Sequence, residues 1–179
     1  KGAGRINYMT AVTEVDGELV EILDVERILN EISPVSTEVS TELVEASVER
    51  NPHGRPVLVA DDSSVARKQV QRALEAIGVQ CVLAKDGREA LNMLLEMSKN
   101  GPIHDQIALV ISDIEMPEMD GYTFTAEIRN NPNLKDLHVI LHTSLSGVFN
   151  QAMVQKVGAN NFIAKFQPDE LAKAVQGAL

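Results

Sequence analysis

From residue 56 to its end, the 179-residue sequence alternates five times between a short apolar run and a longer amphipathic stretch. The short runs have the length of buried strands, and apolar residues in the longer stretches recur at helical spacing. Strands and helices that alternate in this way form a parallel sheet with right-handed crossovers and helices on both faces. The predicted strands are Pro56–Ala60, Gln80–Ala84, Ile107–Ser112, Leu137–His142 and Asn160–Ala164.

Turn and cap residues separate the strands from the helices. Ser63 and Ser64 can cap the first helix, and Gly78 ends it. The series predicts an α/β domain of the flavodoxin-like class, with a five-stranded parallel sheet in the order 2-1-3-4-5. The predicted helices cover about 65–77, 89–97, 121–129, 148–157 and 168–178.

Polar residues follow four of the predicted strands at the point where each strand ends. They are Asp61 and Asp62, Asp113, Thr143 and Lys165. In an alternating α/β sheet the carboxyl ends of the strands open onto one crevice, so these residues are expected to converge there. Carboxylates bind a hard cation such as Mg²⁺, and the cation together with a lysine can neutralise a phosphoryl group. The sequence therefore predicts a pocket for Mg²⁺ and a phosphoryl group.

The region before residue 54 has a different character. Ile6–Val15 and Glu18–Leu23 are strand-like runs joined by Asp16-Gly17, a favoured hairpin turn, and a short helix is predicted over Val25–Ile32. An isolated hairpin is marginally stable, so it must pack on the main domain, on another copy of the chain or on a missing portion of a larger domain. The expected organisation is an N-terminal fragment over 1–33, an acidic linker over 34–53 and the α/β domain over 54–179.

Charge and hydropathy restrict the function classes. The net charge is −10, and residues 11–50 alone carry eleven acids and two bases. Nucleic acid is therefore not an expected partner, because binding a polyanion generally requires a basic patch. No apolar run approaches the length of a membrane span, and the N-terminus shows no signal-peptide pattern. We expect a soluble, cytoplasmic protein without direct membrane insertion.

The stretch from Asp113 to Gly121, DIEMPEMDG, is similar to the phosphoacceptor signature of response-regulator receiver domains, and the resemblance covers residues 56–179. It implies that Asp113 accepts phosphate from a histidine kinase, with at most self-phosphorylation and autodephosphorylation as enzymatic activity. Asp61, Asp62, Asp113 and the backbone carbonyl of Glu115 would hold Mg²⁺. Lys165 would pair with Asp113 or its phosphoryl oxygens.

The same resemblance implies a conformational switch. Thr143 would donate its hydroxyl to a phosphoryl oxygen, and Phe162 would turn inward when the Thr143 loop moves. Pro117 and Gly121 would shape the loop beside the acceptor. Receiver domains usually have proline directly after the lysine, whereas Phe166 stands there in this chain. A trans peptide is expected at that position, because a cis bond before a non-proline residue costs about 2.5 to 4 kcal/mol. Glu115 and Leu145 occupy the positions that would tune the lifetime of the acyl phosphate.

Residues 9–29 resemble the end of a CheW-like coupling domain, in which a hairpin leads into a closing helix. A coupling domain followed by a receiver is the layout of CheV-type chemotaxis adaptors. The resemblance implies a histidine kinase and chemoreceptors as partners, and association with receptor arrays when the protein is full length. It also makes this chain a fragment of such an adaptor, in which a dimer could form by exchange of the N-terminal hairpin.

Two other functions remain open from the sequence. One is a receiver-shaped scaffold without phosphoacceptor activity, although the chain retains all five pocket residues. The other is a phosphatase that uses an aspartyl phosphate. Such phosphatases typically carry Asp-x-Asp directly after the first strand, whereas Asp113 follows the third strand of the predicted domain.

Overall fold

The computed structural model describes residues 9–15, 17–23, 39–40, 54–143, 156–165 and 167–179. The chain forms two compact units, 1–36 and 37–179. In the first unit, strands β1 (Met9–Val15) and β2 (Glu18–Leu23) pair antiparallel, and Gly17 lies in the turn with a φ of 82°. The predicted hairpin is thus confirmed over the described residues, whereas the predicted helix over 25–32 lies outside them.

The second unit contains the alternating α/β domain. Its strands are β3 (Val57–Ala60), β4 (Cys81–Ala84), β5 (Leu109–Ser112), β6 (His138–Thr143) and β7 (Asn161–Ala164). All neighbouring pairs are parallel, and the order β4-β3-β5-β6-β7 is the predicted order 2-1-3-4-5. The flavodoxin-like fold is confirmed. The observed strands begin one or two residues later than predicted, and four of the five end at the predicted residue.

Four helices of the domain lie in the described residues: α1 (Ser64–Ala76), α2 (Gly87–Ser98), α3 (Gly121–Asn130) and α4 (Pro168–Ala178). A 3₁₀ turn spans Ile103–Asp105. Ser63 caps α1, as predicted, by accepting a hydrogen bond from the Ala66 amide at 3.3 Å. Of the helix predicted over 148–157, only residues 156 and 157 are described, and both are helical.

Apolar side chains cover both faces of the sheet. All four residues of β5 are buried, as expected for a central strand. Alternate strand residues point to opposite faces, so Leu58 and Val110 pack with α2 and α3, while Val59 and Ile111 pack with α1 and α4. The core therefore fixes the strand register, and with it the place where each strand ends.

Arg129 joins the end of α3 to the segments that directly precede β6 and β7. Its Nε donates to the Gly158 carbonyl at 2.7 Å, and Nη1 donates to the carbonyls of Lys135 and Leu137, both at 2.8 Å. Nη2 donates to Asn160 Oδ1 at 2.7 Å. The planar guanidinium is suited to this task because it carries several donors in a fixed geometry.

Replacing Arg129 with lysine should destabilise the domain by about 2 kcal/mol, because an ammonium retains the charge but cannot reach all these acceptors together. Urea unfolding followed by circular dichroism measures the loss. Arg72→Lys is the matched control, since Arg72 is an exposed residue of α1. Equal unfolding midpoints for the two variants would contradict this role of Arg129.

Candidate functional site: an acidic pocket at the carboxyl edge of the sheet

Three carboxylates converge where β3 and β5 end. Asp61 and Asp62 follow β3, and Asp113 follows β5. These strands are neighbours in register, and the Asp113 amide donates to the Ala60 carbonyl at 2.8 Å. One oxygen from each of the three carboxylates lies within 4.8 Å of the other two. The predicted acidic cluster is therefore present, and parallel pairing of β3 with β5 is what assembles it.

Lys165 completes the pocket from the end of β7. Its Nζ lies 3.0 Å from Asp61 Oδ2 and 3.0 Å from Asp113 Oδ2, and its side chain is only 3% exposed. The Lys165 amide donates to the Thr143 carbonyl at 2.8 Å, which fixes the backbone from which the side chain extends. The lysine thus bridges the two buried carboxylates.

Burial dominates the titration of these groups. It raises the pKa of Asp61 to about 6, although attraction to Lys165 opposes the rise, and it raises the pKa of Asp113 in the same way. Burial also lowers the pKa of Lys165, but attraction to both aspartates outweighs it and leaves that pKa raised. His142 on β6 is buried near Lys165, and its pKa falls to about 3, so it adds no charge to the pocket at neutral pH.

The donor set fits a divalent cation. The cluster contains three carboxylates and one ammonium, so in its ionised form it carries an excess of two negative charges. Asp61 Oδ2 contacts Lys165 Nζ at 3.0 Å, and a carboxylate oxygen retains a further lone pair that can accept from a metal-bound water. Hard oxygen donors and retained waters are the preference of Mg²⁺. Asp62 is exposed and gives the cation access from solvent.

The affinity for Mg²⁺ should weaken as the pH falls through about 6. A carboxyl group must be ionised to bind the metal, and Asp61 gains its proton near that pH. Competition by one proton predicts an affinity about tenfold lower at pH 5 than at pH 7.5. Calorimetric titration with MgCl₂ at the two pH values measures the ratio. Asp61→Asn should flatten this dependence, and a wild-type affinity that is equal at both pH values would contradict the prediction.

Three more of the predicted residues, Thr143, Phe162 and Glu115, lie at this edge or beside it. Thr143 is fully buried at the end of β6, where it pairs with Ala164. Phe162 pairs with Leu141 on the neighbouring strand, and its ring is half-buried in a small apolar cluster with Ile114 and Leu141. Glu115 is exposed, two residues after Asp113. Leu145 and Phe166 lie outside the described residues.

The structure adds backbone contacts that the sequence did not predict. The Ser63 amide donates to Asp61 Oδ1 at 2.8 Å, and the Ile114 amide donates to Asp113 Oδ1 at 2.7 Å. Arg67, one turn into α1, donates to the Asp61 carbonyl. These donors orient the two acids. The sequence signal that could have indicated the arginine is a charged residue one turn into the helix that follows the acidic pair.

Gly121 has a steric role in the loop between β5 and α3. A Cβ on this residue would lie 2.1 Å from the Asp113 carbonyl oxygen, so the backbone can approach the acceptor only because no side chain is present. Glu118 in the same loop has a φ of 61°, a left-handed conformation that non-glycine residues seldom adopt. The loop beside Asp113 is therefore constrained by close packing as well as by Pro117.

The fold and the pocket together define a flavodoxin-like domain with an acidic cluster at the topological switch point of its sheet. Residues 57–176 match the family described as the response regulator receiver domain. The chain belongs to this family.

Several of the similar proteins are named as chemotaxis proteins. The chain is 28% identical to Chemotaxis protein CheV1 of Helicobacter pylori over 97% of its own length and 53% of that protein. It is 32% identical to Protein PilG of Pseudomonas aeruginosa over 72% of this chain and 90% of PilG. The crystal structure of Vibrio cholerae chemotaxis protein CheY4 matches with a TM-score of 0.59 and 29% identity, covering 70% of this chain and 98% of CheY4.

The chain spans about half the length of the curated CheV1 and CheV2 relatives, 53% and 51% respectively. Among the parts of the chain that the structure describes, no helix combines the length and the apolar character needed to cross a bilayer. The domain is a response regulator receiver domain of the kind found in chemotaxis proteins.

Proposed function

We propose that this chain is the phosphorylation-regulated part of a chemotaxis adaptor, in which Asp113 accepts a phosphoryl group from a histidine kinase. One observation carries the proposal. Asp113 lies 3.0 Å from Lys165 Nζ, and its carboxylate shares a 4.8 Å cluster with those of Asp61 and Asp62. The cluster therefore brings together a nucleophilic carboxylate, the ammonium group of the lysine and a set of hard oxygen donors.

In the proposed reaction, a carboxylate oxygen of Asp113 attacks the phosphorus of a phosphohistidine. A P–O bond forms while the P–N bond breaks, and the electron pair of the broken bond stays on the imidazole. The donor imidazole is protonated on its other ring nitrogen, so it leaves as neutral histidine. Lys165 then pairs with the new phosphoryl oxygens. Mg²⁺, held by Asp61, Asp62, Asp113 and the Glu115 carbonyl, would neutralise charge on the phosphoryl group.

Thr143 and Phe162 are proposed to convert this charge change into a conformational one. Thr143 is fully buried at the end of β6, and it pairs with Ala164 on the strand that leads directly to Lys165. Phe162 packs against an apolar cluster that is smaller than the two main hydrophobic cores. Because few contacts must be exchanged, a small cluster can repack at low energetic cost, which suits a conformational switch. The phosphoryl group would draw in the threonine loop, and the ring would follow.

The wider role is that of a CheV-type adaptor, which would act in the cytoplasm at receptor arrays. The N-terminal unit would be the end of a CheW-like coupling domain that contacts chemoreceptors, and the receiver would modulate coupling to the kinase or act as a phosphate sink. The hairpin at residues 9–23 and the CheV1 similarity over 97% of the chain support this organisation. Dimerisation by hairpin exchange stays a prediction.

Incubation with acetyl phosphate and Mg²⁺, or with a phosphorylated chemotaxis kinase, tests the proposal. Intact-mass analysis should show the gain of one HPO₃ group, and proteolysis should localise it to the peptide that contains Asp113. A chain that gains no mass from either donor would be a scaffold. Repeated turnover of a small phosphomonoester would instead identify a phosphatase, and either result would overturn the proposal.

A further inference from the structure

Val39 and Ser40 pack against the receiver, although they precede β3 by many residues in the chain. Val39 is 8% exposed and belongs to the apolar cluster between the sheet and helices α1 and α4. The Ser40 amide donates to Asp169 Oδ1 at 2.9 Å. Both residues belong to the compact unit 37–179, within the segment predicted to be a linker. An apolar contact and a polar contact therefore hold this short segment on the domain.

The polar contact involves the helix that follows the pocket lysine. Asp169 lies in the first turn of α4, which begins at Pro168. Lys165 ends the preceding strand and contacts Asp61 and Asp113 at 3.0 Å each. Only residues 166–168 separate the lysine from Asp169. A shift of the Lys165 backbone would therefore have only three residues in which to be absorbed before it reached Asp169, the acceptor of the Ser40 hydrogen bond.

We propose that Val39 and Ser40 form an intramolecular strap whose attachment to α4 is coupled to the occupancy of the acidic pocket. This inference rests on the proposed function and adds a route by which the receiver communicates with the N-terminal unit, which ends at residue 36. A phosphoryl group on Asp113 introduces oxygens that attract Lys165 away from its present position between two carboxylates. A hydrogen bond of 2.9 Å weakens steeply with displacement, so the strap contact responds to that movement.

The coupling is reciprocal by thermodynamic necessity. If occupancy of the pocket changes the stability of the strap contact, loss of the strap contact must change the affinity of the pocket by the same factor. A segment that only anchors the chain to the domain would leave that affinity unchanged. This difference separates a regulatory strap from a merely structural one.

Attachment of the strap is tested by amide hydrogen exchange of Ser40, followed by NMR in the complete chain. The Ser40 amide should be protected in the wild type, and Asp169→Ala should remove most of that protection because the acceptor is lost. Glu170→Ala is the matched control, since Glu170 is an acid in the same helical turn but is exposed. An unprotected Ser40 amide in the wild type, or equal exchange in both variants, would overturn the strap.

Coupling is tested with Mg²⁺ and beryllofluoride, which imitates a phosphoryl group on a carboxylate. Asp169→Ala should change the beryllofluoride affinity about fivefold relative to the wild type, whereas Glu170→Ala should not. Val39→Ala weakens the apolar contact alone and should change the affinity in the same direction. Equal affinities in the wild type and in the Asp169 and Val39 variants would overturn the coupling.

The outcomes for the strap and for the proposed function are distinguishable. If beryllofluoride failed to perturb the Ile114 amide beside Asp113 in the wild type, the phosphoacceptor function would fail, and the coupling would fail with it. Exchange at Ser40 would still decide whether the strap is attached. If beryllofluoride bound at Asp113 while Ser40 exchange stayed constant, the phosphoacceptor function would stand and the coupling would be wrong.

Discussion

An Asp113→Asn chain should take up phosphate from acetyl phosphate and Mg²⁺ at least about a hundredfold more slowly than the wild type, because the attacking oxygen is lost. The amide has nearly the same shape as the carboxylate. Burial already raises the pKa of Asp113, so the folded domain should accept a neutral group at this position. Intact-mass analysis over time measures uptake, and circular dichroism verifies the fold.

Asp105→Asn is the control for this experiment, since Asp105 is an exposed acid in the 3₁₀ turn. Its phosphate uptake should equal that of the wild type. Uptake by the Asp113 variant at the wild-type rate would mean that another group is the acceptor. The assignment of Asp113 as the nucleophile would then be wrong.

The second large effect is expected from Gly121→Ala. A methyl group on this residue would lie 2.1 Å from the Asp113 carbonyl oxygen and 3.0 Å from Ile114 Cα, both backbone atoms of the acceptor segment. A backbone segment cannot move aside as a flexible side chain would, so either β5 or α3 must shift. We expect a loss of about 3 kcal/mol in the free energy of unfolding. Phosphate uptake should fall by about tenfold or more, because small misplacements at a reacting centre are costly.

Gly177→Ala provides the matched control because it makes the same chemical change in a helix with open space. A Cβ at Gly177 meets no atom within 4 Å, and the residue is exposed in the last turn of α4. Alanine is the better helix former, so this variant should be unchanged or more stable by up to about 1 kcal/mol. Urea unfolding of both variants gives the comparison. A Gly121 variant as stable as the Gly177 variant would refute the steric role.

The chemistry of the pocket was predictable because two local patterns agree. Four of the five strands are apolar runs that lead into a polar residue of the pocket, and parallel topology places all strand ends at one edge. Asp61 and Asp113 were therefore assigned to one cluster from sequence alone. The roles of Thr143, Phe162 and Glu115 came from family resemblance, and they stay predictions.

Other contacts could not be predicted because they join residues that no local pattern relates. Val39 is one apolar residue in a Ser/Thr-rich stretch, and only the folded domain shows that α4 and the sheet bury it. The acceptors of Arg129 lie up to 31 residues away. Gly121 carries a turn signal in the sequence, but the close approach to Asp113 depends on how β5 and α3 pack.

The sequence by itself determined the order of strands and helices, the hydrophobic faces and the identity of the acidic residues, because strand and helix periodicity is a local property of the chain. Tertiary structure decided the rest. The 3.0 Å contacts of Lys165 with two carboxylates, the raised pKa of Asp61 and the attachment of Ser40 to Asp169 all depend on distances between segments and on exclusion of water. Those quantities exist only once the sheet and its helices have packed.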